Sequence, residues 1–403
     1  MDLNAYPILT VLIIATVSSI LAELPFRFRV PMVVWEMIFG IIIGPHVLGL
    51  ARPIGRFTML GERVDTYTLL AERGLAALFF MAGLDLDLKR VQGRPLRLAI
   101  SGWAISVGLA LAAAALLRAL PFVHAPLMIA LALTTTALGT FMPALQDAGI
   151  FQTKVGTHVL AAGAAGEFLP IIGASLVLTR EFPAWQEALL MLGFVVLAAL
   201  AAAVALGFKP PSALRLLTRT MRSSSQLPVL LALVILFSFA VLSQKIGLES
   251  VLGAFSAGMI LRLATEGEHA TLFREKIKAV CFGFLVPFFF VWSGMMLDLE
   301  PFRHSLKALL LIPMFLLLLL VVRGAPAILY RKDLTKDERL AFALYSATAL
   351  PLVVAIADIG VASAGMSVEI ASAIVGAALI SVLMFPAAAH ALLSGREPTR
   401  QAA

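Results

Sequence analysis

The chain has 403 residues, of which 61% are hydrophobic and 14% charged, with a mean hydropathy of +0.98. A soluble domain carries roughly 45–50% apolar and about 25% charged residues, so this composition excludes a soluble globular protein and indicates a polytopic membrane protein. The single cysteine, Cys281, excludes an intrachain disulfide framework, and the net charge of +7 follows membrane topology rather than an acidic partner.

A bilayer core of about 30 Å needs about 20 helical residues. On that measure the apolar runs predict thirteen spans, at 6–24, 31–50, 66–85, 96–119, 125–147, 155–179, 184–207, 226–245, 248–264, 278–298, 304–330, 338–360 and 366–393. The first run follows Met1-Asp2-Leu3-Asn4, which has no basic region, and it shows no small-residue cleavage site. It reads as a retained span rather than a signal peptide. With the N-terminus outside, 21 of the 31 Lys and Arg residues fall in cytoplasmic segments, 7 in external ones, and Arg73, Arg118 and Arg323 within spans. That bias predicts a multi-pass cell-membrane protein with its N-terminus outside and its C-terminus in the cytoplasm. Loop 51–65 runs against the rule, with three arginines on the outer side. The longest basic loop, 207–225, is expected to link an N-terminal half (1–206, spans 1–7) to a C-terminal half (226–393, spans 8–13). A short tail, 394–403, closes the chain.

Two pairs of spans, each seven apart and therefore opposite in direction, look alike. Span 3 carries Phe79-Phe80 and then Gly83-x-x-x-Asp87-Leu88; span 10 carries Phe288-Phe289-Phe290 and then Gly294-x-x-x-Asp298-Leu299. Span 5 carries Thr134, Thr135, Thr136, Gly139, Thr140 and Pro143; span 12 carries Ser346, Thr348 and Pro351. Proline removes a backbone donor and clashes with the preceding turn, and clustered hydroxyls re-satisfy the freed groups. Interrupted spans in matching positions of an inverted repeat point to a transporter's substrate site. The fold class expected is therefore an all-α polytopic membrane protein of about 13 transmembrane helices, with inverted-topology repeats and two discontinuous helices.

Between them, in span 6, stands Glu167. It sits in the middle of the apolar run from Lys154 to Arg180. A carboxylate at that depth costs roughly 2.5–3.5 kcal/mol on insertion scales, so it marks a partner, a cavity or an ion path.

Several segments resemble the monovalent cation:proton antiporter family, which includes bacterial sodium/proton and potassium/proton exchangers. Glu36 followed by Gly40-x-x-x-Gly44-Pro45-x-x-Leu48-Gly49 is similar to its span 2 motif. Leu78 to Asp87 is similar to its span 3, and Gly253-Ala254-Phe255-Ser256-Ala257-Gly258 to its span 9. Pro287 to Val291, with Gly294 and Asp298, is similar to its span 10. The resemblance implies a homodimer of two-domain protomers. It also implies crossed helices at spans 5 and 12, an ion-binding acid in span 6, and a basic residue in span 11, matched by Arg323. The dipeptide at the acid position is Gly166-Glu167, where many relatives carry Asp-Asp or Asn-Asp. The Gly-Glu-Phe of span 12 is replaced by Ala349-Leu350-Pro351. The site is thus poorer in acids than the family pattern.

Glu167 can hold a proton or a monovalent cation, not both well. Oxygens of Thr135, Thr136 or nearby carbonyls would complete a Na+ or K+ shell, since hard cations prefer oxygen ligands. One carboxylate suggests one cation for one proton, an electrically silent exchange. Thr134, Gly166, Gly139, Ser346, Thr348 and Pro351 are expected to shape the crossing, and Arg323 to pair with Glu167 or to snorkel to the interface. Asp147 and His158 lie near the cytoplasmic ends of spans 5 and 6, where they act as helix-terminus contacts or as a pH-sensing entrance. The competing reading is a cation-coupled symporter of a small organic anion on the same fold. No nucleophile–base pair or metal cluster points to an enzyme. The partners expected are the cation, the proton, membrane lipid and a second copy of the chain, with no cofactor and no nucleic acid.

Overall fold

The computed structural model describes residues 6–24, 31–50, 56–59, 62–85, 92–118, 126–138, 140–141, 145, 149–151, 153–178, 193, 196, 200, 220, 223–246, 250–265, 269–300, 302, 306–362 and 365–394. The described chain is helical apart from one hairpin. Its helices are α1 (Pro7–Glu23), α2 (Met32–Ile43), α3 (Thr66–Asp85), α4 (Arg94–Leu117), α5 (Pro126–Leu133), α6 (Lys154–Leu178), α7 (Leu227–Lys245) and α8 (Ser250–Ala264). They continue with α9 (His269–Val280), α10 (Val286–Met296), α11 (Leu306–Gly324), α12 (Lys336–Ala347), α13 (Pro351–Ala362) and α14 (Val368–Ser394). Eight helical runs among the described residues are long and apolar enough to cross a membrane, and α1, α2 and α8 are shorter apolar helices. The chain is a multi-pass membrane protein.

Most boundaries lie within a few residues of the hydrophobic runs; the differences have local causes. Loop 51–65 contains a hairpin of β1 (Arg56–Met59) and β2 (Glu62–Asp65), antiparallel with Arg56 opposite Asp65. The tenth span starts earlier than hydropathy indicates. Helix α9 begins at His269 and passes through a π-helical turn, Cys281–Leu285, into α10. Arg274, Lys276 and Lys278 are therefore helical rather than in a loop, because charged turns extend a helix without adding to its hydropathy. The seventh predicted span, 184–207, lies almost wholly outside the described residues.

The chain divides into two compact units. The first comprises residues 1–19, 36–86 and 175–296. It is packed through small residues. A side chain at Gly83 of α3 would strike the carbonyl of Phe255 on α8, and one at Gly258 of α8 would strike the carbonyl of Phe80 on α3. Gly40 of α2 and Gly294 of α10 meet in the same reciprocal way, against Val291 and Met37. In lipid no hydrophobic force drives helices together, so close backbone approach and van der Waals contact supply the cohesion. The motifs that sequence picks out at 83 and 294 are contact points of this kind. Phe79, Phe80, Phe288, Phe289 and Phe290 are all buried around them.

The second unit comprises residues 20–35, 87–174 and 297–403. Ser106 of α4 donates to the carbonyl of Val322 on α11 at 2.8 Å. After α11 the chain tightens into a 3-10 turn, Ala325–Lys332, and a capping box starts α12. There the Thr335 hydroxyl accepts from the Glu338 N–H, and the Glu338 carboxylate accepts from the Thr335 N–H at 2.7 Å. At the same end, Arg94 forks onto the Asp333 carboxylate through Nε and Nη2, at 3.0–3.1 Å.

Candidate ion-binding site

Two helices of the second unit are broken, and the breaks touch. α5 stops at Leu133, and residues 134–137 leave the helical ladder. The Thr134 and Thr135 hydroxyls turn back onto the carbonyls of Leu131 and Ala132, at 2.7 and 2.8 Å. This is the local bonding that makes threonine a weak helix-interior residue. The next two N–H groups find partners elsewhere. Thr136 donates to the carbonyl of Gly166 on α6, and Ala137 donates to the carbonyl of Thr348, each at 2.8 Å.

Thr348 lies in the second break, residues 348–350, between α12 and α13. Pro351 is the first residue of α13, a position whose missing N–H leaves no helical bond unmade. The hydroxyl of Ser381 on α14 lies 3.1 Å from both the N–H and the carbonyl oxygen of Ala349, so a side chain meets the peptide groups that the break releases. In apolar surroundings each unmet group would cost several kcal/mol.

Arg323, at the end of α11, is 3% exposed and reaches into this crossing. Its Nε donates to the Thr136 hydroxyl at 2.9 Å, Nη1 to the Ser106 hydroxyl at 3.3 Å and Nη2 to the Ala162 carbonyl at 3.2 Å. The Thr136 hydroxyl in turn donates to the carbonyl of Ser346 at 2.6 Å. Arg323 does not snorkel: its guanidinium is caged by oxygens of α4, α6, the first break and the end of α12.

Gly166 makes room for that cage. A Cβ at this position would meet Arg323 Nη2 and the Thr136 hydroxyl. The guanidinium therefore fills the volume that a first acid or amide side chain would take. Glu167 follows directly on α6 and is 7% exposed. The run Ala161-Ala162-Gly163-Ala164-Ala165-Gly166 gives α6 the slim face on which the broken segment rests, with Gly163 against Leu138 and Phe141.

The structure thus brings Thr136, Gly166, Arg323, Ser346 and Thr348 together, with Thr134 and Thr135 on the adjacent turn. The Ser346 hydroxyl is buried without a hydrogen-bond partner among the described residues. His158 lies on α6 two turns from Gly166. Gly139, Pro143 and Asp147 fall outside the described residues. Sequence reasoning misses Ser106, Ser381 and the Ala162 carbonyl, because a lone serine in an apolar helix carries no signal until its neighbour is known.

A family profile described as "Sodium/hydrogen exchanger, transmembrane" matches residues 10–395. The chain belongs to the sodium/hydrogen exchanger family. That family is one of transporters rather than enzymes. Among relatives, the chain is 25% identical over 406 residues to the putative Na(+)/H(+) antiporter YjbQ of Bacillus subtilis, covering 94% of this chain but 61% of that protein. It thus spans less than two thirds of that relative's length. It is 26% identical over 303 residues to the Na(+)/H(+)-K(+) antiporter GerN of Bacillus cereus, covering 72% of this chain and 71% of GerN. The fold matches the sodium proton antiporter MjNhaP1 of Methanocaldococcus jannaschii with a TM-score of 0.65 at 16% identity, over 96% of this chain and 98% of that one.

Proposed function

We propose that this chain exchanges a monovalent cation, Na+ or K+, for a proton across the cell membrane by alternating access around Glu167. The observation that carries the reading is that Glu167 is buried on α6 and directly follows Gly166, whose carbonyl accepts from the first broken segment. The helix breaks supply carbonyl dipoles and hydroxyls in an apolar setting, where they act strongly on a small ion. Glu167 offers the only charge change needed, holding either the cation or the proton. Oxygens of Thr135, Thr136 and Ser346 are the candidates to complete a cation shell. Arg323 supplies a fixed positive charge, which balances the carboxylate when no cation is bound.

A single acid at Gly166-Glu167 favours one cation per proton and no net charge movement. The membrane orientation in this reading is N-terminus outside and C-terminus cytoplasmic, and two such chains assemble as a homodimer. The two breaks belong to inverted repeats that present the same site to either side in turn.

The test is proton flux in proteoliposomes with Na+, K+ and Li+ offered separately. At least one is expected to drive proton movement, with no current when the membrane potential is clamped at zero. Absence of flux with all three ions overturns the reading; sustained current overturns its electroneutral form.

A further inference from the structure

The first unit holds a buried acid that the exchange site does not use. Glu36 stands one turn into α2 and is 1% exposed. Gly40 and Gly44 follow it at intervals of four, so the three residues share one face of the helix. That face lies on α10. A Cβ at Gly40 would strike the carbonyl of Val291, and a Cβ at Gly44 would meet the Met295 Cα at 3.0 Å. The matched steps from 40 to 44 and from 291 to 295 mean that α2 and α10 run in the same direction. Glu36, four residues before Gly40, therefore comes level with Pro287, four residues before Val291.

The surrounding helices offer this carboxyl no positive charge. α1, α2 and α10 carry no basic residue. α1 and α3 pack on the same stretch of α10, through Val11, Ile14 and Tyr67 against Phe288 and Val291. The one basic residue of α3, Arg73, stands instead over the Phe237 ring of α7, 6.0 Å from its centroid. Glu36 Oε1 is buried without a hydrogen-bond partner among the described residues. α2 has no hydroxyl or amide side chain, so its own helix adds no side-chain oxygen to a metal cation's shell. Glu167, by contrast, follows a residue that touches hydroxyls and a guanidinium. What the Glu36 level does offer is a backbone acceptor. Pro287 has no N–H, so the carbonyl of Gly283, four residues earlier, loses its ordinary helical donor. The chain passes that point as the π-helical turn Cys281–Leu285. A neutral carboxyl has an O–H to give such a carbonyl, whereas a carboxylate only accepts.

We propose that Glu36 is a resident proton site of the first unit: a carboxylic acid that keeps its proton throughout exchange and gives its O–H to the backbone of α10 beside Pro287. An ionised carboxylate here would bear the cost of leaving water with neither a cation nor a donor to offset it, and a carboxyl so placed takes a proton instead. The bound proton leaves the α2–α10 contact uncharged. Glu36 takes no part in the exchange of cation for proton, so a second buried acid adds no proton to the count set by Glu167.

The test is infrared spectroscopy of the full chain in lipid at neutral pH, where an ordinary glutamate is ionised. The wild-type spectrum minus that of Glu36→Gln is expected to show the C=O stretch of one neutral carboxylic acid, unchanged when Na+, K+ or Li+ is added. Carboxylate bands in that difference overturn the proposal. So does a neutral band that vanishes with a cation, which makes Glu36 a cation site. Should Glu36→Gln fail to fold, Glu36→Asp keeps the carboxyl and is expected to shift the neutral band; an unshifted C=O region overturns the proposal. Cation-driven proton flux through Glu36→Gln in proteoliposomes is expected to match wild type. Loss of that flux from a folded variant puts the Glu36 proton in the cycle and overturns its resident role. Wild type without flux overturns the exchange reading alone, since the infrared bands report on Glu36 whether or not the chain transports.

Discussion

The two units solve the same problem, holding helices together in lipid, in opposite ways. The first unit brings backbones into direct contact at Gly40, Gly83, Gly258 and Gly294 and fills the remaining space with phenylalanines. The second breaks two helices and ties the freed groups together with hydroxyls, carbonyls and one guanidinium. An apolar contact of the first kind has one good arrangement. A polar crossing of the second kind has groups that an ion or a proton can rearrange. Cohesion without charge suits a scaffold, while cohesion through dipoles and a buried cation suits a site that must bind and release.

Three substitutions separate these roles. Gly258→Leu pushes a side chain into the Phe80 carbonyl. It is expected to cost about 3 kcal/mol of stability, because neither backbone can yield without moving a helix. Thermal unfolding in detergent should show a large drop in Tm, with unchanged cation affinity in whatever protein remains folded. Equal stability would show that the glycine contact is slack. Thr136→Val removes the hydroxyl that joins Arg323 to Ser346 and leaves both short of a partner, at about 1–3 kcal/mol. Here transport should suffer more than stability, with flux falling about tenfold; a loss confined to Tm would make the crossing a structural tie only. Ser381→Ala leaves the Ala349 peptide groups without their side-chain partner and should cost about 1 kcal/mol, seen as a small fall in Tm and little change in ion preference.

The sequence was most legible where a residue type contradicts its surroundings. Glu167 and Arg323 stand out as charges in apolar runs, and Pro351 stands where α13 begins. The first break was less legible. It opens at Thr134, ahead of the glycine and proline that punctuate the run, because the Thr134 and Thr135 hydroxyls compete for the helical carbonyls of Leu131 and Ala132. Arg323 illustrates the limit: composition shows a buried charge, but only the fold shows that Gly166 vacates the space it occupies. Ser106 and Ser381 look like any small residue of an apolar helix until α11 and the second break are placed beside them. The start of α9 at His269 was hidden for the opposite reason, since its charged residues from Arg274 to Lys278 resemble a loop.

The central claim is that one carboxylate carries both the cation and the proton. Its most direct test is cation-driven proton flux through Glu167→Gln beside wild type in the same proteoliposomes. Glutamine keeps the shape and removes the charge and the titration. The account predicts a folded protein whose flux falls to the level of empty vesicles with every cation. Flux at the wild-type rate would show that the ion and the proton bind elsewhere.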